Sequence, residues 1–551
     1  MAVGHVFQVR HERLDVPELG DDPNVERKRL DAALEQGKSQ LVALQDRLTG
    51  EADAGKAAIF AAHEALLDDP DLREIAEHAI SAGKSAAFAW QQAVATHADR
   101  LARSKNELLA ARANDLRDVG RRVLRALSGT TADGPEAPAN AILVAEDLSP
   151  SDTASLDRAR VLGFCTTGGG ATSHVAILAR SLDIPAVAGI DPRALDLANG
   201  LQVVIDGGKG TLRLGPSDED VARIRGAQER QATRRKAETA AAHEPAVTKD
   251  GHRLEVVANI GGLADAEKVA DLGGEGVGLL RSEFLFLERR SAPTEDEQFE
   301  AYRAIARALG PGRPLVIRTL DVGGDKPLRY VPMPAEENPF LGVRGIRLMT
   351  HRPDLLQAQV RAILRASAEP GARILVMFPM VATMADWRGA RAVVEAERER
   401  LGVTPIPIGI MVEVPSVAVM AAQFAREVDF FSVGTNDLTQ YTLAMDRGHP
   451  KLASQVDGLN PAILQLIATA ATAATAHGKW TGVCGGIAAD PQAIPILVGL
   501  GVSELSVSVP AVPAVKARVR ALDLETCRAL ARRALTLDCA ADVRELVPHD
   551  E

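Results

Sequence analysis

A multi-domain α/β chain is predicted, with a helical bundle inserted in a small α/β domain and a (β/α)8 barrel behind it. Three observations predict it. Strand-like apolar runs alternate with helical stretches eight times between residues 254 and 508. Residues 23–129 carry leucines at spacings of three, four and seven, with charges between them and almost no proline. A single strand-like run at 3–10 stands ahead of those helices, with no partner nearby in sequence.

Composition bounds the rest. A length of 551 residues is a soft prior for roughly three or four domains. Hydrophobic residues make up 46% and aromatics only 3%, so the cores must be aliphatic and rich in alanine. The formal charge of −11 argues against a nucleic-acid binder. Cys165, Cys484, Cys527 and Cys539 show no zinc-ligand spacing, and their sparse use fits a reducing compartment. Met1-Ala2-Val3-Gly4-His5 does not begin a signal peptide, and no run of about 18 apolar residues offers a membrane span. A cytoplasmic location is expected.

In chain order, Val3 to Arg10 alternates as one strand. Leu30, Leu34, Leu41, Leu44 and Leu48 open the helical pattern, and Leu101, Leu108, Leu109, Leu116, Val119, Val123 and Leu124 continue it. Pro70 is expected at a turn between two helices. Ser128-Gly129 and the run from Asp133 to Pro138 break the pattern. Residues 141–145, 161–165, 185–189 and 201–206 then read as strands, with a capped helix starting near 147–151. If the strand at 3–10 joins that sheet, the helical bundle is an insertion in it. Residues 217–241 read as an exposed connecting helix. Barrel strands are expected at 254–260, 276–281, 314–319, 374–379, 407–413, 429–434, 480–484 and 504–508, and the long connection 320–373 has room for a lid.

The stretch Gly168-Gly169-Gly170-Ala171-Thr172-Ser173-His174 combines a glycine turn with a helix cap before the apolar run Val175–Ala179. His174 then falls in the first turn of a helix, where free N–H groups and the dipole favour an anion such as phosphate. A histidine so placed can accept a phosphoryl group; the plain alternative is a glycine turn feeding a helix.

In a (β/α)8 barrel, chemistry lies at the C-terminal ends of the strands. Those ends carry Arg281 followed by Glu283, Arg318 before Asp321, Glu413, the turn Gly434-Thr435-Asn436-Asp437, and Cys484-Gly485-Gly486. Arg344 and Arg447 lie in the adjoining loops. Arginine forks suit a small substrate rich in phosphate and carboxylate oxygens. Glu413 and Asp437 could hold one Mg2+, which takes few protein carboxylates. Cys484 could act as an acid or base. Taken singly, each has a plain reading as an ion pair or a core residue; their convergence on one rim argues for a site.

The stretches GGGATSHVAILARSLDIPAVAG, GVGLLRSEFLF, VIRTLDVGGDK, ENPFLGVRGIR, MVEVPS, FFSVGTNDLTQYTLAMDRG and GKWTGVCGG together resemble the enzyme I family of the bacterial sugar phosphotransferase system, the phosphoenolpyruvate–protein phosphotransferases. The resemblance covers almost the whole chain. It implies a swivelling phosphohistidine α/β domain at 1–16 and 130–216 and a helical carrier-docking domain at 17–129. A linker helix at 217–249 and a phosphoenolpyruvate-binding TIM barrel at 250–551, which also forms the homodimer, complete the implied order.

By the same resemblance, His174 takes the phosphoryl group of phosphoenolpyruvate on Nε2 and passes it to the carrier protein HPr, free or fused, with release of pyruvate. Arg281 and Arg318 bind the substrate phosphate with Arg344 nearby, Asn436, Asp437 and Arg447 also border the substrate, Glu413 and Asp437 bind Mg2+, and Cys484 protonates the enolate. His63 and Leu66 line the carrier surface. The chain departs from the family in two places. The family usually has several more residues ahead of Ala2-Val3-Gly4. After Cys484-Gly485 most members have glutamate, where this chain has Gly486 as in multiphosphoryl transfer proteins. A pyruvate phosphate dikinase or phosphoenolpyruvate synthase is the nearest rival, but residues 23–129 are too short and too helical for the ATP-binding domain either needs.

Overall fold

A computed structural model of the chain describes all residues except 10–14, 51–62, 65, 104–106, 130–136, 149–159, 169–183, 288, 324–327, 329, 334–335, 450 and 549–551. It divides into two compact units, Met1–Gln231 and Ala232–Glu551.

In the first unit, β1 (Ala2–Gln8) lies inside a sheet rather than at its edge. It pairs in parallel with β2 (Ala141–Ala145) and antiparallel with β5 (Gln202–Asp206). With β3 (Val161–Thr166), β4 (Ala186–Ala188) and β6 (Thr211–Leu214) the order is β4-β3-β2-β1-β5-β6. The strands read as near-continuous apolar runs because both faces are covered. Val6, Ile142, Val144, Cys165, Val203 and Ile205 fill one face; Leu143, Ala145 and Phe164 fill the other. A Cβ added at Gly4 would sit 2.5 Å from the Asn140 carbonyl, so only glycine lets β1 approach the start of β2 this closely. The edge strand β6 escapes sequence reading because three of its four residues are exposed.

Between β1 and β2 run α1 (Pro23–Gly50), α2 (Pro70–Ser81), α3 (Ala86–Ala102) and α4 (Glu107–Leu127). They share a core of Leu30, Leu34, Leu41, Leu72, Trp90, Leu116 and Val123. The side chains of Leu44, Leu48, Leu108 and Leu109 lie outside the described residues. Pro70 is not in a turn: it opens α2 behind the cap Asp69, where its missing N–H has no bond to lose. The helix expected after residues 147–151 also falls outside the described residues. α5 (Asp218–Ala240) buries only Val221 and Ile224, against Val3 and Val204, and its remaining surface is charged.

The second unit is a closed barrel. β8 (Arg253–Ile260), β9 (Val277–Arg281), β10 (Pro314–Arg318), β11 (Arg373–Phe378), β12 (Ile408–Val412), β13 (Phe430–Val433), β14 (Trp480–Val483) and β15 (Glu504–Ser508) pair in parallel, and β15 returns to β8. A two-residue strand, β7 (Ala246–Val247), adds antiparallel to β8. Leu279, Val316, Leu375, Met377, Met411, Phe430 and Cys484 pack inside, with the Trp480 ring stacked on Phe430 at 4.4 Å. The connection between β10 and β11 holds helices Ile346–His351 and Pro353–Ser367. Among the described residues no helix is long and apolar enough to cross a membrane.

Candidate active site at one end of the barrel

Arg318 ends β10 and is buried. Its guanidinium pairs with Glu283, from the turn after β9, and lies 3.1 Å from Asp321. Asp321 also accepts from Arg344 Nε at 2.9 Å and Nη2 at 3.0 Å. The other edge of Arg344 reaches both Asp437 oxygens at 3.2 Å and the Tyr441 hydroxyl at 3.3 Å. Arginine and carboxylate therefore alternate in one chain, Glu283–Arg318–Asp321–Arg344–Asp437. Burial works against the charge of both arginines. The facing carboxylates outweigh it, so both are held more firmly protonated than a free arginine.

Local backbone conformation holds this chain in place. Gly345 has φ +56°, and a Cβ there would meet Met380 at 3.0 Å. Met380, just past β11, itself has φ +58°, a conformation that costs a non-glycine residue about 1–3 kcal/mol. Its N–H donates to Glu413 Oε1 at 2.6 Å.

Glu413 follows β12 and is fully buried. Its Oε2 has no hydrogen-bond partner among the described residues. Burial, then the neighbouring Asp321 and Asp437, push its carboxyl up to about 8 against the pull of Arg318 and Arg344. Cys484 follows β14, with Sγ 3.5 Å from the Val433 carbonyl. Burial pushes its thiol up to about 11, while Ser432, Arg318 and Arg281 draw it down less strongly. Both shifts favour the protonated form. Arg281 ends β9, exposed, with no hydrogen bond or ion pair among the described residues.

Asn436 and Arg447 stand beside this cluster. They line a cavity of 490 Å3 together with Gly486, Asp457, Asp490 and Arg544. Asn436 Oδ1 accepts from the Gly486 N–H at 2.9 Å, and Arg447 lies 3.6 Å from Asp437. Gly485 allows that approach, since a Cβ there would lie 1.8 Å from Thr435 Oγ1.

No group of three or more His, Cys, Asp or Glu side chains among the described residues is arranged to hold a metal. A hard cation that takes one or two carboxylates still suits the donors present. Glu413 offers an unpartnered buried oxygen, and Asp437 lies near enough to act on it electrostatically. Arg344 donates to both Asp437 oxygens, and each oxygen keeps a second lone-pair site for a cation.

The barrel thus brings together Arg281, Arg318, Arg344, Glu413, Asp437 and Cys484, with Asn436 and Arg447 alongside. His174 lies outside the described residues; the chain leads up to it through Gly168, whose N–H donates to the Glu146 carbonyl at 2.9 Å. His63 is buried in the helical bundle, 3.4 Å from Asp115 and 3.9 Å from Asp118, and Leu66 is half-buried.

Sequence reasoning missed Asn259, Met380 and Tyr441. Asn259, in β8, donates to the carbonyls of Cys484 at 3.1 Å and Ser506 at 2.9 Å and accepts from Ser506 Oγ at 2.6 Å. Asn259 and Met380 sit at the ends of the first and fourth barrel strands, which the strand-end rule reaches as readily as the others.

Residues 235–524 match the PEP-utilising enzyme, PEP-binding domain; residues 137–210 match its mobile domain and residues 1–112 its N-terminal domain. The chain is 50% identical over 515 residues to a multiphosphoryl transfer protein of Rhodobacter capsulatus, covering 93% of this chain and 62% of that one. It is 46% identical to a multiphosphoryl transfer protein of Xanthomonas campestris pv. campestris, covering 99% of this chain and 65% of that one. A phosphoenolpyruvate-protein phosphotransferase of Geobacillus stearothermophilus is 42% identical, with 97% of this chain and 94% of that one covered. The chain therefore spans less than two thirds of the two multiphosphoryl transfer proteins and nearly all of the third relative.

Proposed function

The chain belongs to the family of PEP-utilising enzymes that includes the phosphoenolpyruvate-protein phosphotransferases, and from that premise we propose that it transfers the phosphoryl group of phosphoenolpyruvate to its own His174 and then to a histidine of the carrier HPr. The observation that carries this is the barrel end itself. Oriented guanidinium groups, a protonated thiol and a buried carboxyl with a spare oxygen converge there.

Each residue then has a task. Arg281 is free to take a phosphate oxygen, with Arg318 and Arg344 held behind it in fixed orientation. Neutral His174 Nε2 attacks phosphorus in line, and the bond from phosphorus to the enol oxygen breaks. Arginine charge stabilises the departing enolate. Cys484 gives its proton to C3 of that enolate, which becomes pyruvate, and the thiolate takes a proton back from solvent. Asn436 and Arg447 border the substrate from the neighbouring cavity. Glu413 and Asp437 would hold Mg2+, which supplies charge neutralisation at the transferred phosphate.

His174 must reach both the barrel and the carrier, so the α/β domain at 1–16 and 130–216 swings on the linker helix at 217–249. The helical domain at 17–129 docks HPr, free or fused, with Leu66 at its half-exposed surface; His63, expected there from the sequence, is instead buried in the bundle against Asp115 and Asp118. The barrel domain at 250–551 forms the homodimer, and the location is cytoplasmic. Incubation with radiolabelled phosphoenolpyruvate and Mg2+ tests this reading. Acid-labile, base-stable label should appear on the chain, pass to added HPr and be absent from His174→Ala. Label that persists in His174→Ala would overturn it.

A further inference from the structure

The opposite end of the barrel carries a second charged cavity. It has a volume of 370 Å3 and is lined by residues that include Arg253, Glu255, Glu275, Arg313, Arg373 and Lys516. Arg253 and Arg373 begin β8 and β11, and Arg313 immediately precedes β10. All three therefore lie at the N-terminal ends of the strands, one strand length away from Arg318 and Cys484.

Backbone pairing fixes the two central cations side by side. The Gly312 N–H donates to the Gly371 carbonyl at 2.9 Å, and Pro314 is the register partner of Arg373. Arg313 and Arg373 thus start neighbouring strands, which lie about 4.8 Å apart. Arg373 also shares the inward parity of Leu375 and Met377, which pack inside the barrel.

Pairing of the charges is uneven. Glu275 is shared between Arg253 at 2.8 Å and Lys516 at 3.7 Å, and the buried Lys516 ammonium also donates to the Gly273 carbonyl at 2.9 Å. Among the described residues the Arg313 guanidinium reaches only the Leu309 carbonyl, at 2.5 Å. The Arg373 guanidinium makes no hydrogen bond or ion pair among the described residues; it acts electrostatically on the buried Glu504 carboxyl, whose own burial favours the neutral, protonated form. A network built for stability gives its arginines carboxylates, as Glu295 serves Arg361 and Arg365 on the barrel's helices. Two adjacent guanidinium groups without one repel each other, and an anion relieves that repulsion. Glu255 is half-buried in the same lining, and its carboxylate, with no hydrogen bond or ion pair among the described residues, offers an acceptor for a hydroxyl.

We infer that this cavity binds a small hydroxylated phosphate ester, with the phosphate on Arg313 and Arg373 and a hydroxyl on Glu255. The site is separate from the proposed phosphotransfer site and does not depend on it.

Calorimetric titration of the intact chain with glycerol 3-phosphate at fixed ionic strength tests the inference, with inorganic phosphate as the control. Saturable binding is expected, at least tenfold tighter for the ester than for inorganic phosphate. Arg313→Gln/Arg373→Gln should weaken it at least tenfold. Arg281→Gln, at the other end of the barrel, should leave it within twofold. The double variant replaces exposed side chains, and an unchanged melting curve without ligand verifies its fold. If the double variant will not fold, Arg373→Gln alone should weaken binding at least threefold. Absence of saturable binding, equal affinity for the two probes, or unchanged binding in these Arg313 and Arg373 variants would overturn the inference.

Discussion

At the C-terminal end of the barrel strands, Arg318 and Arg344 are buried and each faces two carboxylates. At the N-terminal end, Arg313 and Arg373 are exposed, and among the described residues neither guanidinium is hydrogen-bonded or ion-paired to a carboxylate; Arg373 acts only electrostatically on the buried Glu504. The two ends use the same side chain for different purposes. Buried ion pairs seldom add net stability, because desolvation offsets their attraction. What they supply is orientation: a guanidinium clamped by carboxylates presents its remaining edge in a fixed direction. An exposed, unclamped arginine supplies field and reach instead, and adapts to whatever anion arrives.

The comparison breaks most readily at Arg318. Arg318→Met leaves Glu283 and Asp321 buried without their cation, so the barrel should lose about 3–5 kcal/mol. Urea unfolding followed by tryptophan fluorescence measures this, and labelling by phosphoenolpyruvate should vanish with it. A matching change at the other end, Arg373→Met, should leave the unfolding midpoint nearly unmoved. Equal losses would erase the distinction between clamped and free arginines.

Cys484→Ser removes the proposed proton donor without touching the arginine chain. Pyruvate release should slow by roughly 10²–10⁴, the usual range for a positioned acid, while phosphoenolpyruvate binding changes less than threefold. Stopped-flow turnover beside equilibrium binding separates the two. A parallel loss of binding would make the thiol a packing residue.

Each end also holds one buried, raised carboxyl, Glu413 at one and Glu504 at the other. Burial, then the neighbouring Glu255, pushes Glu504 up to about 8, and its Oε1 has no partner among the described residues. From about pH 4.5 to 8 the folded chain holds a proton there that the unfolded chain releases, so stability falls as pH rises through that window. Melting temperature should therefore drop between pH 6 and 8.5, and Glu504→Gln should flatten the slope. An unchanged slope would mean that Glu504 is already ionised.

The smallest effect is expected at Gly486, in the turn after β14. A Cβ there would meet only Asn436 Oδ1, at 3.3 Å. Gly486→Glu should change turnover less than threefold, and a larger loss would show that the Gly486–Asn436 contact is strained by any side chain.

Much of this architecture was legible because period and burial agree. The barrel strand expected at 254–260 spans Arg253–Ile260, and that expected at 504–508 spans Glu504–Ser508. β6 and β7 were not legible: one is a largely exposed edge and the other two residues long. Arg281, Arg318, Glu413 and Cys484 could be found because strand ends are defined positions in a barrel. Their pairing could not, since it depends on how the chain from Asp321 to Arg344 folds back. The backbone at Met380 was invisible for a related reason. Nothing in a methionine side chain announces a positive φ; only the neighbouring Glu413 carboxyl and Gly345 explain it.

The internal position of β1 has a consequence for synthesis. Its partners lie at residues 141–145 and 202–206, so the first apolar strand emerges about 200 residues before its sheet can close. At 5–20 residues per second, that is roughly 10–40 s on the ribosome. The helices made in between have a core of their own and can pack first. The sheet then closes around a strand that has waited for it, and during that interval β1 is the segment most in need of a chaperone's cover.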